Sequence, residues 1–261
     1  MHRVIIPVDF SETSLNAARF ASKMLAWNES VTAVLYHNYE SESDYDISLF
    51  YLESLKREFN KAGVRQVICE HEMGGDLIEN ISRMAHTIRA TLILMGITGK
   101  SAVRQVMFGS NTLKLIDKNL YPVMIIPPDA VYTSMERIAF ATDYKNVEQS
   151  TPSQLIGSVL QLFSPELHIV HVSKEPVTTL SEHMQAEKEK IDALFHGFKK
   201  QFRFIQGDDF YDSLDQFVQE QEINVLVTVP KHPSNSSSLF RSSHTKKLAY
   251  HSHIPILAAH Q

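Results

Sequence analysis

The strongest constraint on the fold is an internal repeat with an offset of about 134 residues. Landmarks that recur near this offset are Asp9 and Asp143, His37 and His171, Gly75-Asp76 and Gly207-Asp208, Gly96 and Pro230, and Pro122 and Pro255. Five landmarks in register are improbable by chance, so the chain is predicted to form two similar domains. Two prolines and a short polar stretch interrupt the pattern near residues 127–136, which predicts domains at 1–130 and 131–261.

Strand-like and helix-like segments alternate within the first copy. The pattern predicts strands at Val4–Val8, Val31–His37, Gln66–His71, Thr91–Met95 and Val123–Ile126, and helices at Leu15–Leu25, Leu49–Phe59, Leu77–Ile88 and Asn111–Lys118. Alternating β and α elements imply a parallel sheet, whose strands are apolar throughout because both faces are covered. The predicted fold class is α/β, with two tandem Rossmann-like domains, each a five-stranded parallel sheet flanked by helices.

Composition restricts the partners and the compartment. The chain has 261 residues, 43% hydrophobic and 21% charged, as in a soluble globular protein. A net charge of −5 gives no electrostatic reason to bind nucleic acid or an anionic membrane, and no apolar run approaches the roughly 18 residues of a membrane helix. The single cysteine, Cys69, precludes an intrachain disulfide and is expected to be a buried, inert thiol. We therefore expect a cytoplasmic protein that binds neither nucleic acid nor membrane.

A glycine-rich stretch follows the fourth predicted strand of the first copy. It contains Gly96 and Gly99, then nine residues, then Gly109, Ser110, Asn111 and Thr112, where a helix begins. Ligands collect beyond the carboxyl ends of parallel strands, and free N–H groups at a helix N-terminus attract phosphate. Glycines would let the backbone approach an anion, and the hydroxyls of Ser110 and Thr112 could donate to it. The alternative is that the glycines only form turns and Ser110 only caps the helix.

These motifs together resemble the universal stress protein family. The resemblance lies in Pro7-Val8-Asp9-Phe10-Ser11-Glu12, in Gly75-Asp76, and in the Gly-x2-Gly-x9-Gly-Ser loop followed by Tyr121-Pro122-Val123. It covers the chain as two copies, and the long loop spacing matches without a gap in the first. The resemblance implies ATP as the ligand of the first copy, with or without Mg²⁺, and a Rossmann-like fold of the adenine nucleotide α-hydrolase type.

The resemblance also implies roles for individual residues. Pro7, Val8 and Asp9 would lie against the ribose and adenine, with Asp9 accepting from ribose hydroxyls or joining a Mg²⁺ site through water. Asp9 also suits a helix cap. Backbone at Tyr36, His37 and Asn38 would contact the adenine. The phosphates would be held by Met95, Gly96, Thr98, Gly99, Gly109, Ser110, Asn111 and Thr112.

The second copy departs from this pattern. Asp143 remains, but Pro230 and Pro233 replace the first two glycines and Arg241 falls near the third. Proline lacks the N–H that a phosphate site needs and fixes φ. A second ATP site is therefore not expected, although Lys231, Arg241 and Ser242 leave a weaker anion site open.

Three classes of function are consistent with the sequence. The leading one is a stress-response protein that binds ATP without fast turnover, since no catalytic motif is recognisable. A weak ATPase or nucleotide-transferring enzyme on the same fold is one alternative, and a nucleotide-free interaction module is another. Relatives commonly pair their fifth strands, so the resemblance implies an intrachain pseudo-dimer through Val123–Ile126 and Ile256–Ala259. A homodimer of chains is left open.

Two polar features are interpreted as structural. The thirteen histidines form no familiar metal-ligand motif, so no metal site is expected. The charged run from Glu182 to Lys190 is interpreted as the solvated face of a helix.

Overall fold

The structure is a computed structural model, which describes residues 1–97, 110–118, 121–229 and 253–260. The chain divides into two compact units, Met1–Tyr132 and Thr133–Gln261. Each unit is an α/β domain built on a five-stranded parallel sheet. The predicted fold class is therefore confirmed.

The first unit alternates strands and helices from its start. Its strands are β1 (His2–Pro7), β2 (Val31–Tyr39), β3 (Gln66–Met73), β4 (Leu92–Gly96) and β5 (Val123–Ile126), and its helices are α1 (Glu12–Met24), α2 (Tyr45–Ala62), α3 (Leu77–Ile88) and α4 (Ser110–Lys118). A 3₁₀ turn over Glu42–Asp44 precedes α2, which begins four residues before the predicted Leu49. The Asp44 side chain accepts from Ser41 and completes a capping box at the 3₁₀ turn.

The strands of the first unit follow the order β3-β2-β1-β4-β5, and every pairing is parallel. Chain order reverses at β1, where the sheet grows toward β2 on one side and toward β4 on the other. The central strands are buried over Val4–Pro7 and Leu92–Met95 because helices cover both faces of the sheet. The carboxyl ends of β1 and β4 therefore meet at a topological switch point, where ligands of open α/β sheets bind.

The second unit repeats this arrangement. Its strands are β6 (Arg137–Ala141), β7 (Glu166–Ser173), β8 (Lys200–Gln206), β9 (Val225–Thr228) and β10 (Ile256–Ala258), and its helices are α5 (Val147–Ser150), α6 (Ser153–Phe163), α7 (Glu182–Leu194) and α8 (Phe210–Glu220). The strand order is β10-β9-β6-β7-β8, again entirely parallel. The switch point therefore lies at β6, the counterpart of β1.

The two units share detailed contacts as well as topology. His37 Nδ1 lies 2.7 Å from the Val8 carbonyl oxygen, and His171 Nδ1 lies 2.9 Å from the Thr142 carbonyl oxygen. The repeated histidines therefore join the second strand of each sheet to the end of the first.

The caps of the third major helices correct one landmark of the repeat. Asp76 caps α3 by accepting from the second and third N–H groups beyond it, and Asp209 caps α8 in the same way. Asp76 is thus equivalent to Asp209, and Gly74 to Gly207, one residue away from the pairing expected from sequence.

A longer connection distinguishes the second unit. β1 is separated from α1 by Val8–Ser11, whereas β6 is separated from α6 by residues 142–152, which include α5. Val147 at the start of α5 is fully buried, and its N–H donates to Glu187 Oε2 on α7 at 2.8 Å. Glu187 is 4% exposed and also accepts from Lys190 Nζ at 2.7 Å. The interpretation of 182–190 as an entirely solvated face was therefore wrong at Glu187, which anchors α5.

No helix in the described part of the chain is long and apolar enough to cross a membrane. Over the same residues, no three His, Cys, Asp or Glu side chains lie together as a metal site would need. Cys69 is half-buried with its Sγ 3.6 Å from the Leu52 carbonyl oxygen, and burial raises the pKa of its thiol to about 11. The thiol is therefore protonated and unreactive at neutral pH.

We expect Glu187→Ala to lower the free energy of unfolding by about 1–3 kcal/mol, because the buried Val147 N–H loses its acceptor. Glu187→Gln keeps an acceptor oxygen and should cost less. Urea denaturation measures both, with Glu189→Ala, at an exposed position of the same helix, as the matched control. Equal stability of Glu187→Ala and Glu189→Ala would contradict the anchoring role.

The same carboxylate predicts a dependence on pH. Burial by itself raises the pKa of Glu187, but the hydrogen bonds from Lys190 and the Val147 N–H outweigh burial and hold that pKa below its usual value. Its contribution is complete above the ordinary glutamate pKa and is lost as pH falls through the lower value of the folded state. The stability difference between wild type and Glu187→Gln should therefore shrink on acidification.

Candidate functional site

A pocket of about 600 Å³ opens at the carboxyl ends of β1, β2 and β4 in the first unit. Its walls come from the β1–α1 connection, the end of β2, the β3–α3 connection and the start of α4. The lining residues are Pro7, Val8, Asp9, Ser11, Thr13, Ser14, Tyr36, Asn38, Glu40, Gly74, Gly75, Leu77, Met95, Gly96, Asn111 and Thr112. Backbone, hydroxyl and carboxylate groups thus converge on a space large enough for a small organic ligand.

The β1–α1 connection supplies one of the two carboxylates of the pocket, Asp9. Asp9 Oδ1 accepts from the Ser11 hydroxyl at 2.6 Å and from the Ser11 N–H at 3.0 Å. Ser11 caps α1 by accepting from the Ser14 N–H. Burial raises the pKa of Asp9, but the hydrogen bonds from Ser11 and Ser14 outweigh it, and the pKa lies below its usual value. Asp9 is therefore ionised at neutral pH and held in place as a hydrogen-bond acceptor.

The residue after Asp9 bends the chain toward α1. Phe10 adopts φ 59°, which is unusual for a residue other than glycine, and its ring centroid lies 4.6 Å from that of His37. Tyr144 adopts φ 52° and lies 5.5 Å from His171 in the second unit. The aromatic contact with histidine therefore recurs at the same bend in both units.

His37 is turned away from the pocket, unlike its two neighbours in β2. Successive side chains of a strand point to opposite faces, so Tyr36 and Asn38 share one face and His37 lies on the other. The histidine ring is occupied by its contacts with Val8 and Phe10. Its side chain is therefore structural, which leaves only its backbone for the contact expected from sequence.

A polar network supports the wall formed by β2 and α3. Asn80 Nδ2 donates to Asn38 Oδ1 at 2.7 Å and to the Gly74 carbonyl oxygen at 2.9 Å. The Tyr36 hydroxyl lies 3.2 Å from Asn38 Oδ1 and 3.3 Å from Glu72 Oε2, and burial beside the Glu72 carboxylate raises the pKa of Tyr36. These bonds fix the orientation of Asn38 toward the pocket.

Gly96 lies where the first turn of α1 packs closely against β4. A Cβ added to Gly96 would stand 2.5 Å from the Thr13 carbonyl oxygen, far inside contact distance. The absence of a side chain at Gly96 therefore allows α1 to pack on the sheet, which is a different reason from the approach of an anion expected from sequence.

Thr112 ties the start of α4 to the same point. Its Oγ1 donates to the Gly96 carbonyl oxygen at 2.9 Å, and the residue is 2% exposed. A hydroxyl has one proton, so this bond replaces the donation to an anion that the sequence suggested. Thr112 therefore positions α4, while Asn111 beside it is exposed to the pocket.

The structure brings together nine of the residues expected at the site: Pro7, Val8, Asp9, Tyr36, Asn38, Met95, Gly96, Asn111 and Thr112. Ser110 is the first residue of α4. Thr98, Gly99 and Gly109 lie outside the described residues.

Sequence reasoning missed several lining residues. Ser11 lies in the same motif as Asp9, and Thr13 and Ser14 follow that motif closely, so this run of hydroxyl residues was an available signal. Gly74 and Gly75 have φ of 65° and 78°; Gly75 was noted only as a landmark of the repeat and of the family resemblance, and Gly74 was not noted. Glu40 follows the last residue of β2, and Leu77 is the first residue of α3. Both line the pocket, and no local sequence pattern distinguishes them.

The charge of the pocket limits what it can hold unaided. Asp9 and Glu40 are carboxylates, and the described lining residues include no lysine or arginine. An anionic group would therefore depend on backbone N–H groups, such as those at the start of α4, or on an accompanying metal ion. Asp9 suits a hydroxyl donor better than an anion.

Comparisons with known proteins agree with this geometry. Residues 1–127 match the model of the universal stress protein family. A universal stress protein from Archaeoglobus fulgidus DSM 4304 has 16% identity and a TM-score of 0.64, with 99% of this chain and 98% of that chain covered. A Pseudomonas aeruginosa UCBPP-PA14 protein with a provisional assignment to the same family has 14% identity and a TM-score of 0.65, with 100% and 93% covered. Comparison with curated proteins returned no significant match.

The structural likenesses extend over both units and show the shared fold. The family match rests on residues 1–127, which contain the whole described lining of the pocket. Through these residues, the first unit belongs to the universal stress protein family.

Proposed function

We propose that the first unit binds an adenine nucleotide, ATP, in the pocket between β1, β2, β4 and α4. The observation that carries the proposal is the fixed, ionised Asp9 carboxylate at a switch point of the sheet, in a pocket of about 600 Å³. Membership of the family supports the choice of an adenine nucleotide.

The pocket offers a different chemistry to each part of the ligand. Asp9 accepts from the ribose hydroxyls, and the backbone around Tyr36 to Asn38 hydrogen-bonds the adenine edge. The phosphates lie toward Gly96 and the N-terminus of α4, whose N–H groups have no partners within the helix. Asp9 would hold Mg²⁺ through water, and the ion would offset phosphate charge that no basic residue of the described lining neutralises.

The protein acts by binding, as a nucleotide-dependent regulatory module. Ser11, Thr13 and Ser14 are the hydroxyl nucleophiles nearest Asp9, but the described lining contains no histidine, lysine or cysteine to form a nucleophile–base pair. Release of phosphate from ATP in the presence of Mg²⁺ would favour the weak ATPase or nucleotide-transferring alternative. Absence of nucleotide by mass spectrometry of the fresh protein, with no measurable ATP binding, would favour the interaction module.

We expect Asp9→Ala to weaken ATP binding about tenfold, equivalent to about 1.4 kcal/mol, because the ribose loses its acceptor. Asp143→Ala at the equivalent position of the second unit is the matched control and should leave the affinity unchanged. Calorimetric titration measures both after circular dichroism has shown that the variants fold. Equal losses would mean that the wrong unit has been assigned.

We expect Gly109→Val to weaken ATP binding at least tenfold, because a branched side chain restricts the backbone expected to contact the phosphates. Ser242→Val, near the corresponding point of the second half, should have little effect because Pro230 and Pro233 there remove N–H donors. Both positions lie outside the described residues. No loss in either variant, measured by the same titration, would favour the interaction module.

Pairing of the two halves through their fifth strands is the remaining part of the proposal. Pro122 and Ile126 accept from β4 through their carbonyl oxygens, so the backbone groups of Val123 and Ile125 point away from β4. If β10 pairs there, the amides of Val123 and Ile125 will exchange with solvent as slowly as those of Met124 and Ile126. Hydrogen exchange on the monomeric protein measures this, and fast exchange at Val123 and Ile125 would refute the pairing.

A further inference from the structure

A groove of about 340 Å³ runs between β8 and α8 in the second unit. One side is strand, from Arg203 to Gln206, and the other side is one face of α8, formed by Ser213, Gln216, Phe217, Glu220 and Gln221. β8 is the last strand of its sheet and pairs only with β7 among the described residues. A strand edge and a helix thus border the same open space.

The free edge of β8 presents backbone groups to this space. The Leu167 N–H donates to the Lys199 carbonyl oxygen and the Gly207 N–H donates to that of Ser173, both at 2.9 Å. Parallel pairing therefore directs the backbone groups of the odd-numbered β8 residues toward β7. The N–H and C=O groups of Phe202 and Phe204 point outward, where an added strand could pair with them.

Arg203 provides an unmatched charge beside this edge. His168 pairs with Gln201 and Val170 with Arg203 in the β7–β8 register, and the His168 ring lies 6.0 Å from that of Phe217 on α8. Arg203 therefore extends on the α8 side of the sheet. Its Nε is buried without a hydrogen-bond partner, and it forms no ion pair with the described carboxylates.

The neighbouring carboxylates contact side chains other than Arg203. Glu220, which also lines the groove, accepts from Gln216 Nε2 at 2.7 Å. Glu166 accepts from Gln201 Nε2 at 2.7 Å and lies 3.3 Å from Lys199 Nζ. The guanidinium of Arg203 contacts only the Gln201 side-chain oxygen among these groups, so its charge is available to a ligand.

The first unit closes the equivalent space with its own side chains. Arg83 on α3 forms a salt bridge with Glu72 on β3, across the gap between helix and edge strand. The equivalent residues in the second unit, by the shared caps and strand register, are Gln216 and Ile205. The salt bridge is therefore replaced by a polar and an apolar side chain, and the groove stays open.

We propose that this groove binds an extended peptide segment of another protein, which adds a strand to β8 and places an acidic side chain on Arg203. Strand addition obtains affinity from main-chain hydrogen bonds and specificity from side-chain contacts at alternate positions. Ile205 shares the α8 side of the strand with Arg203 and adds an apolar contact, whereas Phe202 and Phe204 lie on the other face, where the Phe204 ring packs against Tyr144. The site is separate from the nucleotide pocket and does not depend on it.

Charge distinguishes this partner from a second copy of the chain. β8 reads Lys-Gln-Phe-Arg-Phe-Ile-Gln, with two cations and no carboxylate. The Lys200 charge is matched by Asp192, at 3.1 Å, whereas that of Arg203 is not. Two-fold pairing of β8 with itself would bring cations together and leave Arg203 unpaired, so an acidic peptide is the complementary occupant.

To test this, peptides that bind the full-length protein are selected from a phage-displayed library of random heptapeptides. The affinity of the synthesised binders is then measured by fluorescence polarisation. We expect binders with at least one Asp or Glu among alternating apolar residues. Arg203→Gln should weaken their binding at least tenfold. Arg65→Gln, which removes an exposed cation from the first unit, is the matched charge control and should have no effect.

A second variant tests the groove without removing Arg203. Ile205→Glu combined with Gln216→Arg copies the Glu72–Arg83 salt bridge of the first unit and should also weaken binding at least tenfold. Circular dichroism and urea denaturation establish that the variants fold.

Modified peptides test the strand geometry. N-methylation of the peptide amides that face β8 should abolish binding, while N-methylation of the alternate amides should not. The proposal is overturned if no binder is selected, or if both N-methylated series bind equally. It is also overturned if binding is unchanged by Arg203→Gln or by the double variant Ile205→Glu with Gln216→Arg. It is also overturned if sedimentation shows a dimer of chains that Arg203→Gln dissociates.

Discussion

The candidate site depends on the close approach of α1 to β4 at Gly96. The Thr13 carbonyl oxygen occupies space that a Cβ at Gly96 would need, and the Thr112 hydroxyl donates to the carbonyl oxygen of the same glycine. One residue without a side chain thus brings the first turn of α1, the end of β4 and the start of α4 together. The hydroxyl-rich turn after Asp9 and the N-terminus of α4 can face one pocket only because this contact is tight.

The repeat preserves a framework while its exposed edges differ. Both units hold the end of their first strand with a histidine, bend the chain at an aromatic residue of positive φ, and cap the helix after the third strand with aspartate. They differ in the connection between the first strand and the helix that follows it. The first unit has a short β1–α1 connection over an open pocket, whereas the second inserts α5 and anchors it on Glu187.

These differences give each unit a different exposed surface. The first presents a carboxylate-bearing pocket and closes its strand edge with Glu72 and Arg83. The second replaces that salt bridge with Ile205 and Gln216 and leaves Arg203 beside an open edge. The two edges therefore differ in the side chains at two equivalent positions, which form a salt bridge in the first unit and do not in the second.

The amino-acid sequence by itself determined the repeat, the α/β class, the parallel sheets and the region of the pocket. These features depend on short-range periodicity, on turn and capping residues, and on the rule that ligands bind beyond the carboxyl ends of parallel strands. Asp9, Asn38 and Asn111, which the family resemblance implied as binding residues, line this pocket. Only the tertiary structure decided what each residue contacts. It assigned Gly96 to packing against Thr13, Thr112 to the Gly96 carbonyl, the His37 ring to Val8, and Glu187 to a buried N–H of α5. It also showed that Arg203 lacks a carboxylate partner among the described residues, whereas Arg83 has one. Each of these outcomes depends on which distant segment lies against the residue, and local spacing carries no information about the distance between segments that are far apart in the chain.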